Sequence, residues 1–170
     1  MNNITIRPAK TGDEKQINQM TKLAHRKKVW PYIALYKYDK EFFNDLKKQI
    51  KNPKLGASHF VAVNEKEENI IAFFSYFFEP KTRVKHKIKF TWKVHPNHFS
   101  QGIGAKLLEY TLKDAKKKGF KKATAEIVVK NRASIKLALK YGFKIEGLMT
   151  NYFLADNNKL EDCYFVSKDL

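Results

Sequence analysis

Residues 94–110 read VHPNHFSQGIGAKLLEY, and this stretch decides how the rest of the chain is parsed. An alternating run ends at Val94, Pro96 interrupts it, and a helical pattern begins just after Gly102-Ile103-Gly104. Glycines at such a junction let the backbone approach a ligand with no Cβ in the way. The first N–H groups of the helix have no internal partner. Together with the helix dipole they form a site suited to an anion such as a pyrophosphate. The turn is not a dinucleotide fingerprint, which requires a third glycine three residues on, and it is not a Walker loop, which requires Gly-Lys-Ser/Thr. Standing alone, a Gly-x-Gly equally describes a plain turn before a helix.

Working outward, residues 103–118 form the clearest helix. Ile103, Leu107, Leu108, Thr111, Leu112 and Ala115 share one face, four lysines lie off it, and Gly119 closes it. Upstream, residues 86–95 alternate polar and apolar as a strand does. Residues 58–65 and 69–78 read as a hairpin around an acidic turn. A first strand is expected at 3–8. Thr11 and Glu14 make a capping-box pattern for a helix continued by Ile17, Met20 and Ala24. A second helix is expected over 39–52, with Phe42, Phe43, Leu46 and Ile50 on one side. Downstream come a strand at 123–129, a helix at 132–141 closed by Gly142, and strands at 143–148 and 160–168 separated by the polar loop 156–159. The order β-α-α-β-β-β-α-β-α-β-β, without repeats or linkers, predicts one α/β domain over residues 1–170 with a mostly antiparallel first half.

Hydrophobic residues make up 43% of the chain and aromatics 14%, enough for a real core and unlike a disordered segment. No apolar run approaches the ~20 residues of a membrane span, and MNNITIRPAK has no secretory pattern, so a cytoplasmic setting is expected. The single cysteine, Cys163, sits in an apolar stretch and reads as a core residue. His95 and His98 lack a third ligand at a recognisable spacing, so no metal is expected. The net charge of +17 suits anionic partners, although solvated lysines on helix faces explain it equally.

The turn Phe99-Ser100-Gln101-Gly102-Ile103-Gly104 resembles the Gln/Arg-x-x-Gly-x-Gly/Ala acetyl-CoA signature of the GNAT superfamily. Ile127 to Ser134 (IVVKNRAS) resembles the superfamily's V-x-x-x-N-x-x-A/S segment, and Lys140 to Gly147 (KYGFKIEG) resembles the K-x-G-F-x-x-x-G that follows it. The motifs occur in the family's order, and the likeness extends over about residues 58–168. It implies a GNAT-like fold: a mixed, mostly antiparallel central sheet flanked by helices, with the strands at 86–94 and 123–129 parallel and splayed apart. It also implies acetyl-CoA as donor. Lys93, Val94, Ser100, Gln101, Gly102, Ile103, Gly104, Ala105 and Lys106 would lie along the pantetheine and pyrophosphate, with Asn131 and Ser134 at the cofactor arm. Two positions depart from the pattern. Phe99 replaces the usual Gln or Arg, and Ala138 stands where many members carry a general-acid tyrosine.

Glu126 precedes Ile127, where ribosomal-protein N-terminal acetyltransferases of the superfamily also place a glutamate, and it is the base candidate. The competing reading is a structural pair with one of the many lysines. Tyr141 or Tyr152 would have to replace the missing tyrosine as acid. Acceptor recognition is expected from Trp30, Tyr32, Tyr36 and Tyr38, and from Asp156, Glu161 and Asp162, which could hold an ammonium group. The aromatics could equally be packing and the acids solvated. The implied reaction is N-acetylation of a primary amine, an α-amine of an amino acid or peptide. A non-catalytic acyl-CoA sensor and an RNA-associated protein are the rival readings, and a homodimer is compatible with each.

Overall fold

The computed structural model describes residues 4–26, 40–155 and 158–170. Seven strands form one sheet in the order β1-β2-β3-β4-β5-β7-β6. They are β1 (Ile4–Pro8), β2 (Ala57–Asn64), β3 (Asn69–Phe77), β4 (Lys87–Val94), β5 (Lys122–Val128), β6 (Lys144–Leu154) and β7 (Leu160–Asp169). All neighbours are antiparallel except β4 and β5, which run parallel. The four α-helices are α1 (Asp13–Arg26), α2 (Lys40–Lys51), α3 (Ile103–Lys117) and α4 (Arg132–Lys140).

Period-two alternation sends the side chains of β2 and β3 to two different cores. On one face, Ile103, Leu107 and Leu108 of α3 and Ala138 of α4 pack with Phe60, Phe74, Ile88 and Phe90. On the other, Ile17 and Met20 of α1 and Leu46 of α2 pack with Val61, Ile70 and Phe73. The sheet is therefore sandwiched between α1/α2 and α3/α4. In β4, residues 88, 90, 92 and 94 belong to the α3 face, which leaves Lys89, Thr91 and Lys93 on the α2 face. In β5, Ala123, Ala125 and Ile127 face α3, which puts Glu126 with the lysines of β4.

The β4–β5 ladder contains three partnered positions: Lys87 with Lys122, Ile88 with Ala123, and Lys89 with Thr124. Beyond them the strands diverge, as the resemblance implies. Two sequence expectations need adjustment. Helix α1 begins at Asp13, and Glu14 reaches back to the N–H of Gly12 at 2.7 Å rather than forming a box with Thr11. Strand β6 runs on to Leu154, six residues past the expected end. It is an exposed edge strand with shifted register around Gly147 and between Met149 and Phe153, so its pattern is not that of a half-buried strand.

Candidate active site

At the mouth of the sheet, β4 ends at Val94 and the chain turns through Pro96–His98 into α3. Ser100 and Gly102 both adopt left-handed backbone, at φ 61° and 74°. Gly102 is the N-cap of α3 and supplies no side-chain cap, and the first turn carries no acid. The N–H groups that open α3 thus have no intrahelical partner. Alternating left-handed residues next to such a terminus form a concave set of donors for an anion. A Cβ at Gly102 would meet no protein atom within 4 Å, so this flank is open. Gly104 differs: a Cβ there would lie 3.5 Å from Val94 and 3.6 Å from Leu137, so it seats α3 against β4 and α4. The Gln101 amide donates to the Asn97 carbonyl at 3.2 Å and braces the turn. Phe99 is 44% exposed and gives the turn no polar contact at the family's Gln/Arg position.

Behind the turn, a cavity of about 770 Å³ fills the wedge between β4 and β5. Trp92, Asn131 and Ser134 line it from the α3/α4 side, while Phe42, His59 and Phe73 line it from the α2 side. Its walls belong to both faces of the sheet, so it passes through the gap. The gap is braced. Asn131 caps α4 by accepting from the Ser134 N–H at 3.2 Å, and the Trp92 indole donates to the Ser134 hydroxyl at 3.2 Å. Strand β4 is thereby tied to α4 across the opening.

Glu126 lines the cavity, and the Lys89 ammonium donates to its carboxylate at 2.7 Å. The Glu126 side chain is 15% exposed and that of Lys89 47%, so the lysine covers the carboxylate from the solvent side. Glu126 thus lines the cavity and is paired with a lysine at once. Tyr152 adjoins the same carboxylate. The Glu126 charge raises its phenol above the ordinary tyrosine value, and burial and a hydrogen bond to Glu126 add to the effect. Cys163 is fully buried in β7, and burial, with the Glu126 charge behind it, pushes its thiol up to about 11. At neutral pH it is an inert core thiol, as the sequence suggested.

Other expected residues fall elsewhere. Tyr141 packs from the C-terminal end of α4 against the main core, with Lys113 of α3 as an electrostatic neighbour, and it is not part of the cavity wall. Neither tyrosine is part of that wall, and of the two it is Tyr152 that adjoins Glu126. Lys93 stands on the opposite face of β4 from Val94 and the phosphate turn. It lines the cavity on the α2 side, 5.5 Å from the Phe42 ring. Glu161 is buried and accepts from Lys130 at 2.7 Å, and Asp162 accepts from the Asn151 N–H at 2.9 Å, so both already have partners away from the cavity. Trp30, Tyr32, Tyr36, Tyr38 and Asp156 lie outside the described residues.

Two parts of the wall escaped the sequence reading. Glu41, Asp45 and Gln49 of α2 line the cavity at i, i+4 and i+8. That helical spacing was visible, but the apolar stripe of α2 drew the attention. His59 of β2 is the cross-strand partner of Ser75 on β3. Its Nδ1 contacts the Ser75 hydroxyl at 2.8 Å and its Nε2 contacts Gln49 at 3.0 Å. Burial pushes this imidazole down to about 4 and burial pushes Lys93 down to about 7. Among the described residues no group of three or more His, Cys, Asp or Glu could hold a metal, and no helix is long and apolar enough to cross a membrane.

A family model described as the GNAT acetyltransferase family matches residues 17–143. No curated protein matches the sequence significantly. Among solved structures, the chain is similar to an N-acetyltransferase from Staphylococcus aureus Mu50, with 26% identity, TM-score 0.81 and 98% of each chain covered. It is also similar to a ribosomal-protein-S5-alanine acetyltransferase from Vibrio fischeri, with 21% identity, TM-score 0.83, and 99% of this chain and 94% of that one covered. A third likeness is to a putative acetyltransferase from Salmonella typhimurium solved with its cofactor acetyl-CoA, with 23% identity, TM-score 0.83 and the same coverage.

Proposed function

The chain belongs to the GNAT acetyltransferase family, and from that premise we propose that its acceptor is a primary α-amine, on a free amino acid or at a peptide N-terminus. As a family member it is an acetyl-CoA-dependent acetyltransferase. The observation that carries the proposal is the single cavity through the β4–β5 gap, with Glu126 facing the α2 side. The uncapped turn at residues 100–105 is the part suited to the cofactor's phosphates, and the edge of β4 up to Val94 is suited to its pantetheine. When bound, acetyl-CoA supplies the activated carbonyl. What the chain supplies is orientation and proton handling.

Glu126 accepts the proton that the amine must shed, and the half-exposed Lys89 has room to swing aside as the acceptor enters. Tyr152, kept protonated beside that carboxylate, is the donor for the departing thiolate in place of the tyrosine absent at Ala138. Glu126, the carboxylate on the β4–β5 gap, is already paired with a lysine, which favours an amine that is easy to deprotonate. At pH 7 an ordinary lysine side chain costs about 4.6 kcal/mol to neutralise, whereas an α-amine costs about 1 kcal/mol. The ribosomal-protein-S5-alanine acetyltransferase among the structural neighbours acts on such an amine by its name.

One observation favours a second reading. Glu41 and Asp45 stand at the rim of the α2 wall, where they could receive a second ammonium group of a polyamine. A spermidine N-acetyltransferase chimera is among the similar folds, with 17% identity and TM-score 0.73. Competition separates the two: α-amines against spermidine and Nα-blocked lysine, at pH 7 and pH 9. The α-amine reading expects α-amine preference at pH 7 that narrows at pH 9 as side-chain amines deprotonate. Faster turnover of spermidine at pH 7 would overturn it in favour of the polyamine.

A further inference from the structure

We propose that Lys93 is a site of self-acetylation: with no acceptor in the cavity, the chain transfers the acetyl group of its own bound acetyl-CoA to the Lys93 Nζ. The inference rests on the reading above in one respect, that the thioester lies in the β4–β5 gap. The position of Lys93 itself is given by geometry. It is one residue from the end of β4, beyond the last partnered position at Lys89, and so on the open part of the strand. Its side chain is 6% exposed and lines the same cavity as Glu126, Trp92 and Asn131. It projects to the α2 side, the side on which Glu126 also stands. A primary amine is thus built into the wall where the acceptor's amine is to stand.

Two physical effects make this amine reactive. The first is proximity, since a nucleophile fixed within the cavity reacts as though at very high local concentration. The second is protonation. Burial pushes the Lys93 ammonium down to about 7. At neutral pH its uncharged fraction is then roughly a thousandfold above that of an ordinary lysine. The other titratable groups on this cavity are Glu41 and Asp45 from α2, His59 from β2, Lys89 from β4 and Glu126 from β5. Glu126 is already engaged by Lys89, and burial keeps His59 uncharged at neutral pH. Glu41 and Asp45 are exposed on α2.

The step balances without another reactant. The Nζ lone pair forms the N–C bond to the acetyl carbonyl carbon, the C–S bond breaks, and CoA leaves with the sulfur's electron pair. The proton lost from nitrogen ends on the CoA thiol, directly or through Glu126. The product is an amide, with no charge at any pH and with added bulk inside the cavity. Its consequence is a brake: an enzyme left with donor and no acceptor fills its own acceptor space.

The test is intact-mass analysis of the whole protein incubated with acetyl-CoA alone, followed by peptide mapping. The expected result is one added acetyl group, about 42 Da, on Lys93. Its rate should saturate with acetyl-CoA, stay unchanged on diluting the protein, and fall when acceptor or free CoA is added. Pre-acetylated protein should lose turnover with acceptor in proportion to the modified fraction. Lys93→Arg should abolish the increment, with circular dichroism checking its fold. The wild-type map decides the matter even if that variant misfolds. Acetyl-CoA turnover with an acceptor but an unmodified Lys93 would overturn self-acetylation while leaving the proposed function intact. Unsaturable acetylation spread over exposed lysines would also overturn it, as ordinary solution chemistry. Absence of both acceptor turnover and CoA binding would overturn the two together.

Discussion

His59 offers a way to measure how strongly the acceptor wall is held together. It is 7% exposed, with Ser75 on one ring nitrogen, Gln49 on the other and Phe73 stacked at 5.6 Å. Burial holds its folded value near 4, against an unfolded value of 6.5. The unfolded chain therefore takes up a proton first. The stability His59 contributes is complete above pH 6.5 and is lost as pH falls from 6.5 towards 4. The two values differ by about 2.5, which at ~1.36 kcal/mol per pH unit sets a ceiling of about 3 kcal/mol. Between pH 7 and pH 5 the linkage relation gives a loss of about 2 kcal/mol from this residue alone. Urea unfolding at both pH values, for the wild type and for His59→Phe, isolates the contribution. The variant loses stability at pH 7, because Ser75 and Gln49 each lose a partner. Its further loss on going to pH 5 should be about 2 kcal/mol smaller than that of the wild type. Equal pH dependence in the two proteins would show that His59 titrates normally in the folded state and would refute the account of this wall.

Four further outcomes are expected. Glu126→Gln should lower kcat by about 10²–10⁴ with CoA affinity retained, measured by thiol release and calorimetry; retained kcat would remove Glu126 as the base. Gly102→Val meets no protein atom but forces a left-handed backbone on a branched residue, so it costs about 1–2 kcal/mol of stability and weakens CoA binding roughly tenfold or more. Gly104→Val instead crowds Val94 and Leu137, so it should lower the melting temperature by overpacking, at about 1–3 kcal/mol, before any effect on CoA is read. If the charge of +17 serves cofactor capture, stopped-flow association with CoA slows as salt rises while dissociation changes little; a salt-independent on-rate returns the lysines to a solvating role.

The sequence carried the fold wherever a periodic pattern met a one-sided core. Helix α3 and strands β2 to β5 were legible because each alternates or repeats against α3/α4 or α1/α2. Strand β6 was not, because an exposed edge with register shifts has no buried face to write into its sequence. The phosphate turn was legible because glycine at a left-handed position has few substitutes. The cavity wall was harder. Glu126 could be placed on a strand face, but its pairing with Lys89 depends on two strands that are neighbours in the sheet and 37 residues apart in the chain. Tyr141 packs against the core and not on the cavity wall; nearness in sequence to a motif says nothing about which way a side chain at the end of α4 points. The acids were sought in the loop near 156, while the rim of α2 holds Glu41 and Asp45. Lys93 was expected along the cofactor, whereas strand alternation puts its side chain on the other face of β4 from Val94.

The three-position seam between β4 and β5 makes this sheet two panels joined at a short hinge: β1 to β4 on one side, β5 to β7 on the other. Past the hinge, each panel turns a row of main-chain donors and acceptors towards the other without reaching it. The donor, on its proposed course along β4, would act there as a temporary strand and seal an edge that lies inside the molecule rather than at its rim. Amides on the open length of β4 then exchange with solvent on the timescale of cofactor departure, and the panels unfold more nearly as one unit when the donor is bound. On the proposed placement, donor binding is also a closure of the sheet, and the same contacts that would align the thioester would hold the halves of the protein in register.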